Sequence, residues 1–168
     1  MKVVGIDPGL TATGYGIVQR TGSRITPLGW GVIRSGDGSL AERLGKIYDK
    51  ISEVLAAHSP DVVAVEDIFT GRNPRSGLRL GHARGVLILA AAKGGYSVIE
   101  YPAATVKQAV VGRGRASKQQ VKYMVGKLLN IPEDKKVAED AADALAVALC
   151  CIIRERTPDK LLHNKDNK

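Results

Sequence analysis

The chain predicts an α/β fold: a mixed five-stranded sheet, three antiparallel strands followed by parallel additions, with helices on both faces. Three observations predict it. Apolar runs too continuous to be half-exposed occur at Lys2–Asp7 and Asp61–Glu66. An alternating pair of segments joined by Thr21-Gly22-Ser23 lies between them. From Ser39 onward, segments of helical period separate the remaining strands.

The elements follow in order. Val3, Val4 and Ile6 make a buried strand that stops at Asp7-Pro8-Gly9. Gly14–Arg20 and Arg24–Arg34 alternate apolar and polar residues as a hairpin. Ser39 with Glu42 forms a capping box, and Leu44, Ile47, Tyr48, Ile51 and Leu55 form one helical stripe ending before Pro60. Val62 to Val65 is a central strand, followed by a loop from Asp67 to Ser76 and a helix from about Gly77 to Lys93. Ser97–Glu100 is a short strand, and helices follow at Ala104–Val111, Ser117–Leu129 and Val137–Ile153. Ser117 and Gln120 repeat the capping box, with Val121, Met124, Val125 and Leu128 as the buried stripe. Residues 1–156 read as one domain and 157–168 as a polar, disordered tail.

Composition narrows the function. At 168 residues and 44% hydrophobic the chain is ordinary for a globular domain, which removes collagen-like, disordered and disulfide-dense classes. No apolar run approaches the roughly 18 residues of a membrane span, and the first residues lack a signal-peptide core. Cys150 and Cys151 are adjacent in an apolar helix and read as small core residues of a reducing, cytoplasmic compartment. His58, His82 and His163 have no ligand spacing, which argues against zinc. The net charge of +8 is concentrated: Gly71–Lys127 holds eleven basic residues and one acid, Glu100, so the remainder sums to −2. Charge gathered in this way marks a polyanion-binding surface, nucleic acid before others.

Four carboxylates stand in odd places. Asp7 and Glu66 end strongly apolar strands, where ligand crevices open in α/β sheets. Asp140 and Asp143 share a face of a helix otherwise built of Ala, Val, Leu and Ile. Taken singly, each can be a cap, an ion-pair partner or a complement to a helix dipole. Together they are hard oxygen ligands suited to magnesium or manganese. Two such ions about 3.5–4 Å apart activate water and stabilise the leaving oxygen of a phosphodiester. An acidic centre within a basic surface is what phosphodiester hydrolysis requires.

With these residues placed, the chain resembles the RuvC-type Holliday junction resolvases, the crossover junction endodeoxyribonucleases. The likeness lies in Gly5-Ile6-Asp7-Pro8-Gly9 with Thr13-Gly14-Tyr15-Gly16, Val65-Glu66, and Gly81-His82-Ala83-Arg84-Gly85. It continues through Val106-Lys107-Gln108 with Val110-Val111-Gly112, and Asp140-Ala141-Ala142-Asp143-Ala144-Leu145. It runs from Lys2 to about Ile153 in family order. The resemblance implies an RNase H-like fold and a homodimer that nicks a four-way DNA junction symmetrically, leaving 5′-phosphate and 3′-hydroxyl ends. It implies magnesium, with manganese able to substitute, two ions per centre, Asp7 bridging them and Glu66, Asp140 and Asp143 completing their shells. Lys107 and Lys118 match lysines near the scissile phosphate, and branch-migration motor proteins would be partners.

Local features bear on DNA and assembly. Phe69, the only Phe, stands just after Glu66 and before Arg72 and Arg75. It either stacks on unpaired bases or tucks under its loop, and the resemblance favours stacking. Gly77, Gly81 and Gly85 make a smooth ridge on one helix face, for a dimer contact or for packing on the sheet. Gly112-Arg113-Gly114-Arg115 is a basic loop opening onto the helix capped by Ser117, suited to phosphate or simply a solvated turn. Arg79, Lys118 and Lys122 complete the expected DNA surface.

Three other readings compete. An actin-like ATPase or sugar-kinase lobe shares the Asp7-to-Gly14 loop but needs a second lobe, for which 168 residues leave no room. A transposase-like polynucleotidyl transferase would carry further DNA-binding modules. A non-catalytic nucleic-acid binder would be indifferent to replacement of Asp7.

Overall fold

In the computed structural model, which describes residues 1–67, 74–132 and 134–155, five strands form one sheet in the order β3-β2-β1-β4-β5. β1 (Lys2–Asp7) is central, antiparallel to β2 (Ala12–Thr21) and parallel to β4 (Val62–Asp67). β3 (Arg24–Arg34) forms one edge antiparallel to β2, and β5 (Ser97–Pro102) the other, parallel to β4. The expected mixed sheet with helices on both faces is what folds, an RNase H-like arrangement.

The hairpin turns at Gly22 and Ser23, with Thr21 paired to Arg24 and Gly22 at a φ of 60°. β2 starts two residues earlier than its alternation suggests, because Ala12 and Thr13 continue the ladder opposite Arg34 and Ile33. The register slips between Ile17 and Val18, whose partners are Gly29 and Pro27. Pro27 has no N–H to donate, and the slip at an edge strand accommodates it.

Strand alternation sorts the core into two layers. Val3 faces a cluster with Val62, Ala64 and the helices α3 (Ala103–Val111), α4 (Lys118–Leu128) and α5 (Glu139–Arg154). Val4, Ile6, Val63 and Val65 face α1 (Leu40–His58) and α2 (Pro74–Lys93) on the other side. Both capping boxes form: Ser39 with Glu42 opens α1, and Ser117 with Gln120 opens α4.

One core assignment is corrected. Leu128 is 40% exposed, whereas Leu129 is buried. The inward ridge of α4 follows a four-residue step through Val121, Val125 and Leu129, and Leu128 falls off it. Cys150 and Cys151 are buried, and burial pushes their thiols up to about 11 and about 12, which leaves them unreactive neutral core groups. Among the described residues no helix is long and apolar enough to cross a membrane. The expected tail, 157–168, lies outside the described residues.

Candidate active site

The same alternation that builds the core aims two carboxylates at one place. Val3, Gly5 and Asp7 are successive same-face positions of β1, and Val62, Ala64 and Glu66 of β4. Ile6 pairs with Val65 in the parallel ladder, so Asp7 and Glu66 stand side by side at the carboxyl ends of adjacent strands, on the α5 face.

α5 is brought down onto this face because the strands beneath it have no side chains there. A Cβ on Gly5 would lie 2.2 Å from the carbonyl oxygen of Ala144, and one on Gly14 1.9 Å from that of Asp140. Gly14 is also the ladder partner of Asp7. The helix backbone therefore rests on the strands, and its first two turns, carrying Asp140 and Asp143, are placed over the end of β1.

Asp7, Glu66 and Asp143 line a cavity of about 290 Å³ together with Lys107 of α3, Lys118 of α4 and the apolar Val106, Val121 and Ala146. Asp140 is not in the wall. Its negative charge nevertheless reaches Asp7 and Asp143. Burial chiefly, and then the neighbouring Glu66, pushes the Asp7 carboxyl up to about 8. Glu66 is also raised by burial, opposed by its hydrogen bond from Asp7 and by the charges of Lys118 and Lys107. The side-chain hydrogen bond between them runs from Asp7 to Glu66, which favours the neutral form of Asp7 and the charged form of Glu66. Asp143 is raised by burial as well, and Lys118 works against that rise.

Lys118 is the local counter-charge. Its ammonium lies 3.2 Å from Asp143 and 3.0 Å from Glu139. Sequence reading leaves Glu139 aside, since it lies about 100° round α5 from the Asp pair. The structure gives it the role of second anchor for Lys118. No signal in the sequence could have paired them, because α4 and α5 meet only through the fold.

The structure divides the expected DNA residues. Arg113 and Arg115 are exposed in the loop between α3 and α4, and Lys122 is exposed one turn beyond Lys118, none of them in the cavity wall. Arg79 is exposed on α2, the helix layer of the opposite sheet face. Phe69 and Arg72, and the side chain of Arg75, lie outside the described residues. At the base of that segment Arg84 pairs with Asp67 at 3.2 Å and with Glu100, tying α2 to the ends of β4 and β5. Gly81 and Gly85 do not pack on the sheet: both are exposed, with nothing within 4 Å of where a Cβ would stand.

Parallel strand ends bearing paired carboxylates, closed by a helix with a further acidic turn and rimmed by lysines, define a phosphodiester-cleaving α/β enzyme of the RNase H-like class. The profile of the family described as crossover junction endodeoxyribonuclease RuvC matches residues 3–151, and the chain belongs to that family. It is 52% identical over 151 residues to the crossover junction endodeoxyribonuclease RuvC of Syntrophotalea carbinolica, covering 89% of this chain and 92% of the relative. The Thermus thermophilus RuvC solved in complex with Holliday junction substrate superposes with a TM-score of 0.86 at 36% identity, covering 93% of this chain and 95% of that one. The yeast mitochondrial Holliday junction resolvase Ydc2, at 15% identity and a TM-score of 0.65, shares the fold.

The family is one of divalent-metal-dependent nucleases. Among the described residues no three histidine, cysteine, aspartate or glutamate side chains are arranged to hold an ion as they stand. As the side chains stand, Asp7 and Glu66 are engaged with each other, and Asp143 with Lys118. The donor set still fits a hard cation. Clustered carboxylates whose ionisation is held back by burial and then by mutual repulsion are what a divalent ion relieves.

Proposed function

We propose that this protein is a magnesium-dependent, structure-selective endonuclease that resolves four-way DNA junctions by paired symmetric nicks. The observation that carries the reading is the convergence of Asp7, Glu66 and Asp143 with Lys107 and Lys118 on one cavity. Asp7, Glu66, Asp140 and Asp143 would hold two magnesium ions, or manganese in their place. When bound, the ions supply an activated water and charge stabilisation for the departing oxygen, leaving 5′-phosphate and 3′-hydroxyl ends.

The chain's own side chains then do the positioning. Lys107 and Lys118 hold the scissile phosphate against the carboxylates. Arg113, Arg115 and Lys122 carry the strand on the cavity side, Arg72, Arg75 and Arg79 an adjoining arm, and Phe69 stacks on an exposed base. A homodimer sets two centres on one junction. Its contact is the α2 face of Gly77, Gly81 and Gly85, a reading supported by the open space over Gly81 and Gly85 and by Leu78 and Leu89, exposed 63% and 52%, nearby on α2. Residues 1–156 are the nuclease domain, the protein works in the cytoplasm, and branch-migration motors are its partners.

The test is incubation with a synthetic four-way junction and a linear duplex, with and without magnesium. Paired nicks on the junction alone, dependent on the ion, are expected. Cleavage of both substrates alike, or cleavage without a divalent ion, contradicts the reading.

A further inference from the structure

A second recess lies along the far half of α4, outside the catalytic cavity. It measures about 370 Å³ and has an apolar floor of Val125, Ile131, Val137 and Ala142. Through Ile131, Pro132 and Lys135 it continues into a neighbouring recess of about 380 Å³ against Pro27, Leu28 and Trp30 of β3. The rim is basic: Lys122, Lys127 and Lys135 line the first recess and Lys136 the second. In the sequence the adjoining linker also carries two acids, Glu133 and Asp134. Two of the lysines are held over aromatic rings, Lys135 at 4.9 Å from the centre of Trp30 and Lys127 at 5.5 Å from that of Tyr123.

These features favour one kind of occupant. A DNA arm offers phosphates to the lysines but nothing to fill an apolar recess. One face of the Trp30 ring and one of the Tyr123 ring each already carries an ammonium group. A peptide that combines carboxylates with bulky apolar side chains satisfies both parts. Its carboxylates meet lysines already steadied by their rings, and its apolar side chains fill the floor. Tyr123, at 63% exposure, and Leu28, at 44%, are left uncovered by the chain itself. We propose that this groove is a docking site for an acidic, aromatic-bearing segment of a partner protein.

The experiment is fluorescence anisotropy of the full chain with a labelled peptide of alternating aspartate and phenylalanine. One control peptide has asparagine in place of aspartate, and another has serine in place of phenylalanine. Saturable binding by the first peptide alone is expected, weakened at least about tenfold by Lys135→Glu and by Tyr123→Ser. Junction cleavage by both variants should stay as in the parent chain, because neither residue belongs to the proposed DNA surface. Amide shifts of the unsubstituted chain on titration with the peptide should centre on Gly126, Val137 and Ala142, which locates the site without relying on any variant. Failure to saturate, binding that survives either control replacement, or shifts centred elsewhere overturns the proposal. So does a Lys135→Glu variant that loses short-duplex DNA as severely as peptide, which would make the groove an arm contact.

Discussion

The ammonium of Lys118 lies 3.2 Å from the Asp143 carboxylate, so the first residue of α4 neutralises the first inward turns of α5. A charge pair of this kind holds two helix N-termini over one cavity and keeps a cation beside Glu66. Lys118→Ala should leave the fold intact, since the lysine is 63% exposed, and should lower junction cleavage by about 10²–10³-fold while binding changes little. Single-turnover cleavage beside a gel-shift assay separates the two effects, and an equal loss in both would refute the role.

Asp7 ties stability to pH. Its carboxyl is raised in the folded chain from 3.8 to about 8, so the metal-free fold binds a proton that the unfolded chain releases. The contribution to stability is therefore fully present below pH 3.8 and is lost as pH rises through about 8. Denaturant titrations in chelator between these limits should show falling stability, of the order of a few kcal/mol in total. Asp7→Asn should flatten that dependence. Magnesium at the alkaline end should restore stability to the parent chain and have little effect on the variant.

The same Asp7→Asn change should abolish cleavage and leave junction binding intact or tighter, because it removes a negative charge from a surface that holds phosphate. Loss of binding in a gel shift would point away from catalysis.

Gly14 bears on function through packing. Gly14→Ala would place a methyl 1.9 Å from the Asp140 carbonyl oxygen, forcing α5 away from β2. Overpacking of this kind costs about 1–3 kcal/mol, and cleavage should fall further than that cost implies because Asp140 and Asp143 move with the helix. Thermal unfolding measured beside cleavage tests it. A variant with parent-like activity would show that the helix position is not critical.

Gly81→Glu separates fold from assembly. The space above Gly81 is open, and a helical glycine is about 1 kcal/mol worse than most residues, so the monomer should be unharmed or firmer. Sedimentation should show the proposed dimer for the parent chain and a monomer for the variant. A Glu variant that stays dimeric would place the contact elsewhere.

Binding to the junction should weaken steeply with salt, by roughly one power of salt concentration per phosphate neutralised. Anisotropy titrations at several ionic strengths give the slope, and a flat response would remove the basic surface from the argument.

The five strands, the five helices and both capping boxes were legible in the chain because each rests on local periodicity or on residues three apart. The carboxylates at the ends of β1 and β4 were legible for a related reason: a charge that interrupts a buried run is conspicuous before any folding. Strand ends slipped by a few residues where ladder partners, as at Ala12 and Pro102, extend pairing beyond what alternation shows. Periodicity places Leu128 in the core because it ranks neighbours on a helix face coarsely, whereas packing buries Leu129.

What the order of residues determined by itself was the kinds of element, the charge segregation and the presence of four conspicuous carboxylates. Which of those carboxylates share a cavity was decided only by tertiary contact. Parallel pairing set Asp7 beside Glu66, two bare glycines let α5 settle close enough to bring Asp143 to them, and the approach of α4 supplied Lys118 with Glu139 as its second anchor. Local sequence carries periods and caps because these act over a few residues. Distances between carboxylates on β1, β4 and α5 are set by which surfaces can touch, and a missing side chain on one strand matters only once another helix is laid across it.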